Sequence, residues 1–425
     1  MSISNHPSRT PGFHRMSTAE RLEAVAAFSG LDEATTAQLS APGNIDPHLA
    51  DHMIENVVAT LSIPISVATN MRVDGRDVLV PMATEESSVV VAVCNSAHQC
   101  YDSGGFVTSL SGNLIIAQVQ LTGVTDPENA RLCILERREE IAATCDGCDP
   151  MLVQLGGDFR DLELRVIASR GGPMVVTHLI VDTRDAMGAN TVNTMAEKLA
   201  PAIESWTGGK VFLRILSNLA DRRLARARAT WTAEAIGGEA VRDGMISAYH
   251  FAEADPYRAA ANNNGIMNGV SAVVLTTGND TRAVEAGAHS YAARRGRYSS
   301  LTSWKVTADG GLAGSIELSM PVGLVGGATK IHPTARACLK VLGVTTAADL
   351  ARIIAAVGLA QNFGAMKALV TTDIQKGHMD LHANNVAFAA GATDGEVARL
   401  AAILVERRQV RQDVAVVELE RMRGG

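Results

Sequence analysis

The sequence lacks the features that mark secreted, membrane-spanning or nucleic-acid-binding proteins. Its first residues, MSISNHPSRTPGFHRM, contain no apolar core of the kind that a secretory signal has. No apolar run approaches the roughly 20 residues that a transmembrane helix needs. Lysine and arginine total 38 against 45 aspartate and glutamate residues, so the net charge of -7 gives no general attraction to polyanions. We expect a cytoplasmic protein with six free thiols and with neither nucleic acid nor a membrane as a partner.

The usual short motifs of nucleotide-binding and hydrolytic enzymes are also missing. No GxGxxG follows a strand pattern, and GxxxxGK[ST], HExxH and GxSxG do not occur. The CxxC formed by Cys145 and Cys148 has no second ligand pair at a zinc spacing, and His378 with His382 has no evident third ligand. The sequence therefore predicts no metal. A nicotinamide cofactor, if one is used, must be held by a fold other than a Rossmann domain.

The length of 425 residues favours two or three substructures, and a hydrophobic content of 47% is enough to fill their cores. Ser17 and Glu20 have the capping-box spacing of a helix start. Asp74 and Gly75 interrupt a β-branched run as a hairpin turn does. Residues 113–211 follow a βαββα order, which predicts a compact α+β unit inserted in a larger domain.

Two further stretches are interpreted from their local pattern. Residues 211–236 are interpreted as a helix with a solvated arginine face, the alternative being contact with cofactor phosphates. The arginines concerned are Arg222, Arg223, Arg226 and Arg228. The apolar run SAVVLTTG, residues 271–278, is interpreted as a buried strand.

Five separated segments share their residues with one enzyme family. They are ENVVAT (55–60), PMATEESS (81–88), DAMGANTVNT (185–194), DPYRAAANNNGIMNG (255–269) and GHMDLHA (377–383). With GGFVT, GGDFRDLE, TGNDTRAVEAGAH and GLVGGATKIHP they extend over nearly the whole chain. On these segments the sequence resembles the class II 3-hydroxy-3-methylglutaryl-coenzyme A (HMG-CoA) reductases.

The resemblance implies the α+β fold of that family. This fold has a large acyl-CoA-binding domain, an inserted ferredoxin-like small domain for a nicotinamide cofactor, and a mobile C-terminal flap. We expect residues 1–112 to form the N-terminal helix and the first part of the large domain, and residues 113–211 to form the small domain. Residues 212–374 would complete the large domain, and residues 375–425 would form the flap. Because family members place their site between subunits, we expect a homodimer or a higher even assembly.

The resemblance also implies an NADH-dependent reduction of HMG-CoA, or of a close acyl-CoA or aldehyde relative, to mevalonate. A hydride attacks the thioester to give a hemithioacetal, coenzyme A leaves, and a second hydride reduces the aldehyde. Each step develops an oxyanion that needs a proton or a positive charge. In the family a Glu, Lys and Asp cluster supplies this, while a histidine of the flap protonates the departing thiolate.

The site residues of the family fall on matching positions of this chain. The catalytic positions are Glu86, Asp280, His378 and Asn264. Substrate contacts fall on Arg258, Asn268, Ser88, Glu55 and Asn56. Cofactor contacts fall on Asp149, Asp185, Met187, Gly188, Asn190 and Asn193. The acid Asp149 favours NADH over NADPH, because it would repel a 2′-phosphate.

The main departure from the family lies at Asn264. Where the family has THNKG, residues 261–265 read ANNNG, so a hydroxyl, an imidazole and an ammonium are replaced together. A carboxamide can donate a hydrogen bond to an oxyanion but brings no charge, and losing such a stabiliser costs on the order of a hundredfold to a thousandfold in rate. If Glu86 and Asp280 face each other without the cation, one of them should keep its proton to higher pH.

These replacements leave two alternatives to NADH-linked reduction. One is a diverged family member that uses acyl-CoA binding for a different, non-reductive reaction. The other is a catalytically weak protein that binds acyl-CoA or a nucleotide. Lys376, beside the GHM motif, is the lysine that could swing towards the site with the flap.

Overall fold

The computed structural model describes residues 7–41, 45–371 and 374–424, with only the backbone described at 374–381 and 394. Within these residues the helices are α1 (Thr18–Ser29), α2 (Glu33–Ser40), α3 (Pro47–Met53), α4 (Ser87–Cys100), α5 (Pro127–Leu135), α6 (Arg138–Asp146), α7 (Pro150–Gln154), α8 (Ala189–Thr207), α9 (Ala233–Ile236), α10 (Glu239–Ala254), α11 (Pro256–Thr276), α12 (Thr281–Ala292), α13 (Gly327–Ile331), α14 (Pro333–Leu342), α15 (Ala347–Val370), α16 (Ile374–Ala389), α17 (Asp394–Glu406) and α18 (Gln412–Gly424). The strands are β1 (Ile65–Val73), β2 (Arg76–Ala83), β3 (Val107–Leu110), β4 (Leu114–Thr122), β5 (Asp158–Ile167), β6 (Met174–Asp182), β7 (Lys210–Leu216), β8 (Leu224–Trp231), β9 (Thr302–Val306) and β10 (Leu312–Ser319). Helices and three separate sheets alternate along the chain, which confirms the predicted α+β class.

Two local features follow the sequence prediction. Ser17 accepts a hydrogen bond from the backbone of Glu20, whose carboxylate accepts one in return, and α1 then ends at Gly30 in the left-handed conformation. Strands β1 and β2 form an antiparallel hairpin, with φ of 50° at Asp74 and 79° at Gly75. Positive φ at both turn residues is what a type I′ turn requires.

The largest core surrounds helices α11 and α15, which pack against each other. Glycines make this close approach possible. A Cβ added to Gly269 would lie 2.9 Å from Cβ of Gln361, and one added to Gly358 would lie 2.9 Å from Cγ2 of Val270. Any larger residue at either position would push the two helices apart.

The prediction of a buried strand over residues 271–278 is wrong, because α11 continues to Thr276. Val273 and Val274 are fully buried on this helix. A short apolar run at the centre of a core looks the same in a strand and in a buried helix, so its pattern alone could not separate the two.

The four-stranded sheet β3-β8-β10-β9 packs on α15. Trp231 of β8 stacks on Phe363 of α15, with ring centroids 4.3 Å apart. The predicted helix over residues 211–236 is wrong here. Ala225, Ala227 and Ala229 are buried while the residues between them are more accessible, which is the two-residue period of a strand.

The second four-stranded sheet, β5-β6-β4-β7, is antiparallel throughout and carries α5, α6 and α8. Its βαββαβ chain order is that of a ferredoxin-like fold. The sheet has its own hydrophobic core, which runs from Ile115 to Ala220 and is separate from the core around α11. The predicted limit at residue 211 falls inside β7, because the helix predicted from that residue onward concealed this edge strand.

The last three helices, α16 to α18, pack on one another around a small core that includes Ala387, Leu400 and Leu419. Helix α16 also contacts α4. The described part of residues 375–425 is therefore a helical unit that contacts the large core through α16.

Among the described residues, helix α15 is long and apolar enough to cross a membrane by length and composition alone, with a mean hydropathy of 1.5. No apolar run of this length was predicted from the sequence. Most residues of α15 are buried in the core around α11. We therefore interpret it as a core helix.

Arg223 links the two four-stranded sheets. Its side chain lies just before β8, is almost fully buried, and donates to Oγ1 of Thr183 at 3.1 Å. It also donates to the carbonyls of Ala186 at 3.0 Å and Val322 at 2.6 Å. Burial lowers the pKa of Arg223 to about 10, so the guanidinium stays charged at neutral pH. The predicted solvated arginine face is therefore wrong at this residue.

Replacing Arg223 with leucine should lower the free energy of unfolding by about 3 kcal/mol or more. The change removes the donor to Oγ1 of Thr183 and to the carbonyl of Val322, whereas the carbonyl of Ala186 keeps the hydroxyl of Thr183 as a donor. Each acceptor left without a donor costs about 1–3 kcal/mol. Arg222 is the matched control, because its exposed side chain forms a surface ion pair with Glu163. Arg222→Leu should cost less than about 1 kcal/mol. Urea unfolding of both variants measures the difference, and equal losses would contradict the linking role.

Candidate functional site

Helix α11 presents one polar, accessible face. Asn264 is exposed, and Arg258 and Asn268 are half-buried. At about 100° per residue, Asn264 and Asn268 lie about 40° apart around the helix, and Arg258 lies about 80° beyond Asn268. Among the described residues, no hydrogen-bond partner or ion pair engages the guanidinium of Arg258 or the carboxamides of the two asparagines. The structure therefore places three of the predicted site residues on one accessible part of α11, with polar groups that have no partner among the described residues.

The two asparagines that precede the exposed one have a different role. Asn262 donates to Oγ of Ser300 at 3.0 Å and accepts from Nδ2 of Asn362 at 2.9 Å. Asn263 is fully buried and bonds the backbone of the same segment, residues 299–302. These bonds fix the rotation of α11 about its axis. The ANNNG run thus contains two structural asparagines and one accessible one.

Glu86 lies directly after β2, at the start of α4. It is exposed, and its Oε1 accepts a hydrogen bond from Oγ of Ser88 at 2.5 Å. Strand β2 packs on α11, so the glutamate follows an element that contacts the helix carrying Asn264. The predicted substrate residue Ser88 is therefore placed where it orients the predicted catalytic carboxylate.

Asp280 caps helix α12 and accepts hydrogen bonds from the backbone of Arg282 at 3.0 Å and Ala283 at 3.2 Å. The Arg282 side chain adds an ion pair at 3.2 Å. Burial raises the pKa of Asp280, but the hydrogen bonds from Ala283 and Arg282 outweigh it and hold the pKa below its ordinary value. The expectation that one of Glu86 and Asp280 keeps its proton to higher pH stays a prediction, and the lowered pKa of Asp280 does not favour Asp280 as the carboxylate that keeps it.

The remaining predicted substrate residues lie on an accessible segment. Glu55 and Asn56 are both exposed, and Asn56 has a φ of 61°. Beyond them the chain carries apolar side chains with little cover, with Val58 98% and Leu61 90% exposed. Among the described residues, no hydrogen bond joins Glu55 or Asn56 to Glu86 or to α11.

His378, the fourth predicted catalytic residue, falls in the part of α16 whose side chains lie outside the described residues. The same holds for Lys376. At these positions the structure describes only the helical backbone.

The predicted cofactor segment DAMGAN connects β6 to α8 through a turn that needs glycine. Gly188 has a φ of 94°, and a Cβ added there would lie 2.4 Å from Cγ2 of Thr183. On the other side of the turn, a Cβ added to Gly323 would lie 2.4 Å from the backbone nitrogen of Met187. No side chain caps α8, so its first backbone N–H groups are free to bind an anion.

Asp149 is brought to this same turn. One carboxylate oxygen caps α7, accepting from the backbone of Leu152 at 3.0 Å. The other oxygen accepts from Oγ1 of Thr191, in the first turn of α8, at 3.1 Å. Asn190 is exposed beside it. The structure thus places an acid next to a free helix N-terminus and a glycine turn, which is an arrangement that fits a dinucleotide.

Two of the predicted cofactor residues bond to the protein itself. Oδ1 of Asp185 accepts from the backbone nitrogen of Ala347, at the start of α15, at 2.7 Å. Oδ1 of Asn193 accepts from the backbone nitrogen of Leu216, at the end of β7, at 2.7 Å. Both side chains therefore fasten the turn and α8 to neighbouring elements.

Three residues that hold the predicted site in place were not predicted from the sequence. Arg223 binds the carbonyls of the cofactor turn, Gly323 allows the next loop to lie against it, and Asn362 bonds the buried end of the ANNNG run. Gly323 stood in a glycine-rich stretch that had been noticed. Nothing local separated Arg223 from its arginine neighbours.

A cavity of 1880 Å³ runs along α4 from Glu86. Helices α1 and α2 and strand β1 form its other walls. Residues that line it include Arg9, Val90, Cys94, Asn95 and His98. The cavity is large enough for an extended ligand whose reactive end reaches Glu86.

Metal and thiol chemistry find little support in the part of the chain that is described. No group of three or more His, Cys, Asp or Glu side chains is arranged there to hold a metal ion. All six cysteines are free thiols. Burial raises the pKa of Cys145 to about 12, so the CxxC thiol is unreactive at neutral pH.

Comparisons with known proteins agree on one family. The family model described as hydroxymethylglutaryl-coenzyme A reductase matches residues 17–383. The chain is 54% identical to the 3-hydroxy-3-methylglutaryl-coenzyme A reductase of Archaeoglobus fulgidus, over 98% of this chain and 95% of that one. It is 33% identical to the probable reductase of Borreliella burgdorferi, over 91% of this chain and 88% of that one.

Solved structures give the same likeness. The reductase of Streptococcus pneumoniae superposes with a TM-score of 0.84 at 38% identity, covering 97% of this chain and 99% of that one. A class II form of that enzyme bound to NADPH in open conformations superposes with a TM-score of 0.83, also at 38% identity, covering 85% of this chain and 99% of that one.

The two roles within ANNNG predict different responses to truncation. Asn262→Ala should lower the free energy of unfolding by about 2 kcal/mol, because it removes two buried hydrogen bonds and leaves Asn362 short of a partner. Asn264→Ala, the matched control two residues on, should change it by less than about 0.5 kcal/mol, because its side chain is exposed. Chemical denaturation of both variants checks this. A larger loss at Asn264 would reverse the assignment.

Proposed function

This chain belongs to the HMG-CoA reductase family of oxidoreductases, and we propose that it catalyses the NADH-linked reduction of HMG-CoA or of a close acyl-CoA or aldehyde relative. The observation that carries the proposal is the accessible face of α11. There Arg258, Asn264 and Asn268 are free of partners among the described residues. Strand β2, which packs on α11, leads to Glu86, and Glu86 lines a large cavity along α4.

Substrate binding is assigned to α11 and α4. The free guanidinium of Arg258 can form a charged, two-pronged pair with the ligand carboxylate, and Asn268 can bond its hydroxyl. The cavity along α4 would receive the extended coenzyme A arm, which brings the thioester to Glu86.

The two carboxylates take different parts. Glu86, oriented by Ser88, is the proton donor or acceptor for the reacting oxygen. Asp280 has a lowered pKa and is therefore ionised at neutral pH, so it is unsuited to donate a proton. Asn264 donates a neutral hydrogen bond to the developing oxyanion of the hemithioacetal step.

The cofactor would be held on the ferredoxin-like unit, which we extend from residue 113 to Leu216. The free N-terminus of α8 would take its phosphates, and Asp149 would accept from the ribose hydroxyls. When bound, NADH would supply the hydride for each reduction step.

The C-terminal helices and a second copy of the chain would complete the site. We assign His378 to protonation of the departing thiolate and residues 375–425 to the closing flap. Residues 1–112 and 217–374 would then form the large domain. The exposed apolar segment that follows Glu55 and Asn56 supports a homodimer, because a run with Val58 and Leu61 open to water favours burial against a partner.

The alternative of weak or non-reductive catalysis is favoured by one observation. Asn264 is exposed and uncharged, and the cations nearest in sequence, Arg258 and Arg282, are engaged in other proposed or observed pairs. A protein with the same binding face but little reduction would then cleave the thioester or only bind it.

We expect NADH to bind more tightly than NADPH, by about tenfold or more, because Asp149 would repel a 2′-phosphate. Calorimetric titration of the full chain with each dinucleotide measures this. Asp149→Asn is the control, since it keeps the cap on α7 while removing the charge. This variant should show a smaller difference between its affinities for NADH and NADPH. Tighter binding of NADPH than of NADH by the unaltered protein would overturn the assignment of Asp149 to the ribose hydroxyls. That result would match the Streptococcus pneumoniae enzyme, whose structure was solved with NADPH bound.

Asn264→Lys should raise the rate of HMG-CoA reduction by on the order of a hundredfold. The lysine restores a positive charge aimed at the oxyanion. The exposed position accepts it without burial of the charge. Steady-state assays with identification of mevalonate as the product give the measurement.

Asn264→Gln is the matched control, because it lengthens the side chain without adding charge and should give no such gain. Asn262→His is best left out of the test variant, since it would break the bonds to Ser300 and Asn362. The proposal fails if the unaltered protein and Asn264→Lys both bind HMG-CoA and NADH yet produce no mevalonate.

A further inference from the structure

A second polar cavity lies on the outer face of the sheet β3-β8-β10-β9. Its volume is 490 Å³, and none of the residues assigned above to substrate or cofactor lines it. Its floor is a row of paired strand residues. Arg228 of β8 lies opposite Val107 of β3 and Ser315 of β10, and Ser315 lies opposite Ser303 of β9. Residues 294–301 and α10 contribute the rim.

The cavity has an excess of positive charge. It is lined by the four arginines Arg226, Arg228, Arg294 and Arg295 and by the two acids Glu253 and Glu317. Glu317 is already saturated, because it accepts from Arg226 at 2.5 Å, from Arg294 at 3.4 Å and from the hydroxyl of Tyr291. This buttressed cluster fixes one wall of the cavity.

Arg228 and Arg295 remain available. Both are exposed, and among the described residues no hydrogen bond or ion pair engages either guanidinium. The exposed serines Ser109, Ser303 and Ser315 line the same cavity and add hydroxyl groups to it. Guanidinium and hydroxyl donors that line a small polar cavity match the oxygens of a phosphate group, which accept several hydrogen bonds and carry the opposite charge.

We propose that this cavity binds a small phosphate-bearing molecule, with Arg228 and Arg295 as its charged contacts. Its volume falls in the range of ligand sites and suits a compact anion. The site does not depend on the proposed reduction. The cavity is also connected to α11, because Ser300 lines the cavity and accepts a hydrogen bond from Asn262 of that helix.

Calorimetric titration with inorganic pyrophosphate tests the proposal. The full chain is used at low ionic strength, with NADH and coenzyme A present in excess so that other phosphate sites are filled. We expect binding to the unaltered protein, and Arg228→Gln and Arg295→Gln should each weaken it by about tenfold or more. Thermal unfolding should be unchanged in both variants, because neither guanidinium has a partner among the residues that the structure describes.

Arg170→Gln is the matched control for the change in net charge. Arg170 is exposed on the turn between β5 and β6, away from this sheet, and its replacement should leave the affinity unchanged. Three outcomes overturn the proposal. They are no binding of pyrophosphate at millimolar concentration, the same affinity in all three variants, or citrate binding as tight as that of pyrophosphate.

Discussion

The contact between α11 and α15 is the constraint on which the rest of the structure depends. Glycines at 269 and 358 remove side chains where the helices meet, so the helices lie too close to admit any other arrangement. The bond between Asn262 and Asn362 then fixes the rotation of α11, because turning the helix would leave buried amides without partners. With one face committed to the core, Arg258, Asn264 and Asn268 remain on the accessible part of the helix, where the proposed function places the ligand.

The sequence predicted the parts of the fold that local chemistry determines. The capping box, the hairpin turn at Asp74 and Gly75, and the α+β class are all present. The prediction from sequence failed where contacts between distant segments determine the secondary structure. The alternation of arginine and alanine along Leu224–Trp231 has the period of a strand, but the density of charge suggested a solvated helix, and only the core beneath shows which of the two applies.

The same limit applies to the candidate site. Residue type and motif identified the positions, but they could not show which side chains are free for a ligand. Asp185 bonds the backbone of Ala347, which is 162 residues away, and Arg223 bonds Val322, which is 99 residues away. Such partners are set by the tertiary fold alone. Two predicted cofactor positions, Asp185 and Asn193, therefore proved to be fastened to the protein.

The replacements within ANNNG have separate physical meanings. Asn262 belongs to a buried network, so an imidazole there would have to find other partners than Ser300 and Asn362. Asn264 faces accessible space, so the fold would accept a lysine or a carboxamide there at almost the same free energy of unfolding. The helix cap and Arg282 hold the pKa of Asp280 below its ordinary value. Under the proposed function, the asparagine at position 264 would therefore alter the chemistry and leave the architecture intact, and an oxyanion formed on α11 would rely on a neutral donor or on a cation brought by the proposed flap or the ligand.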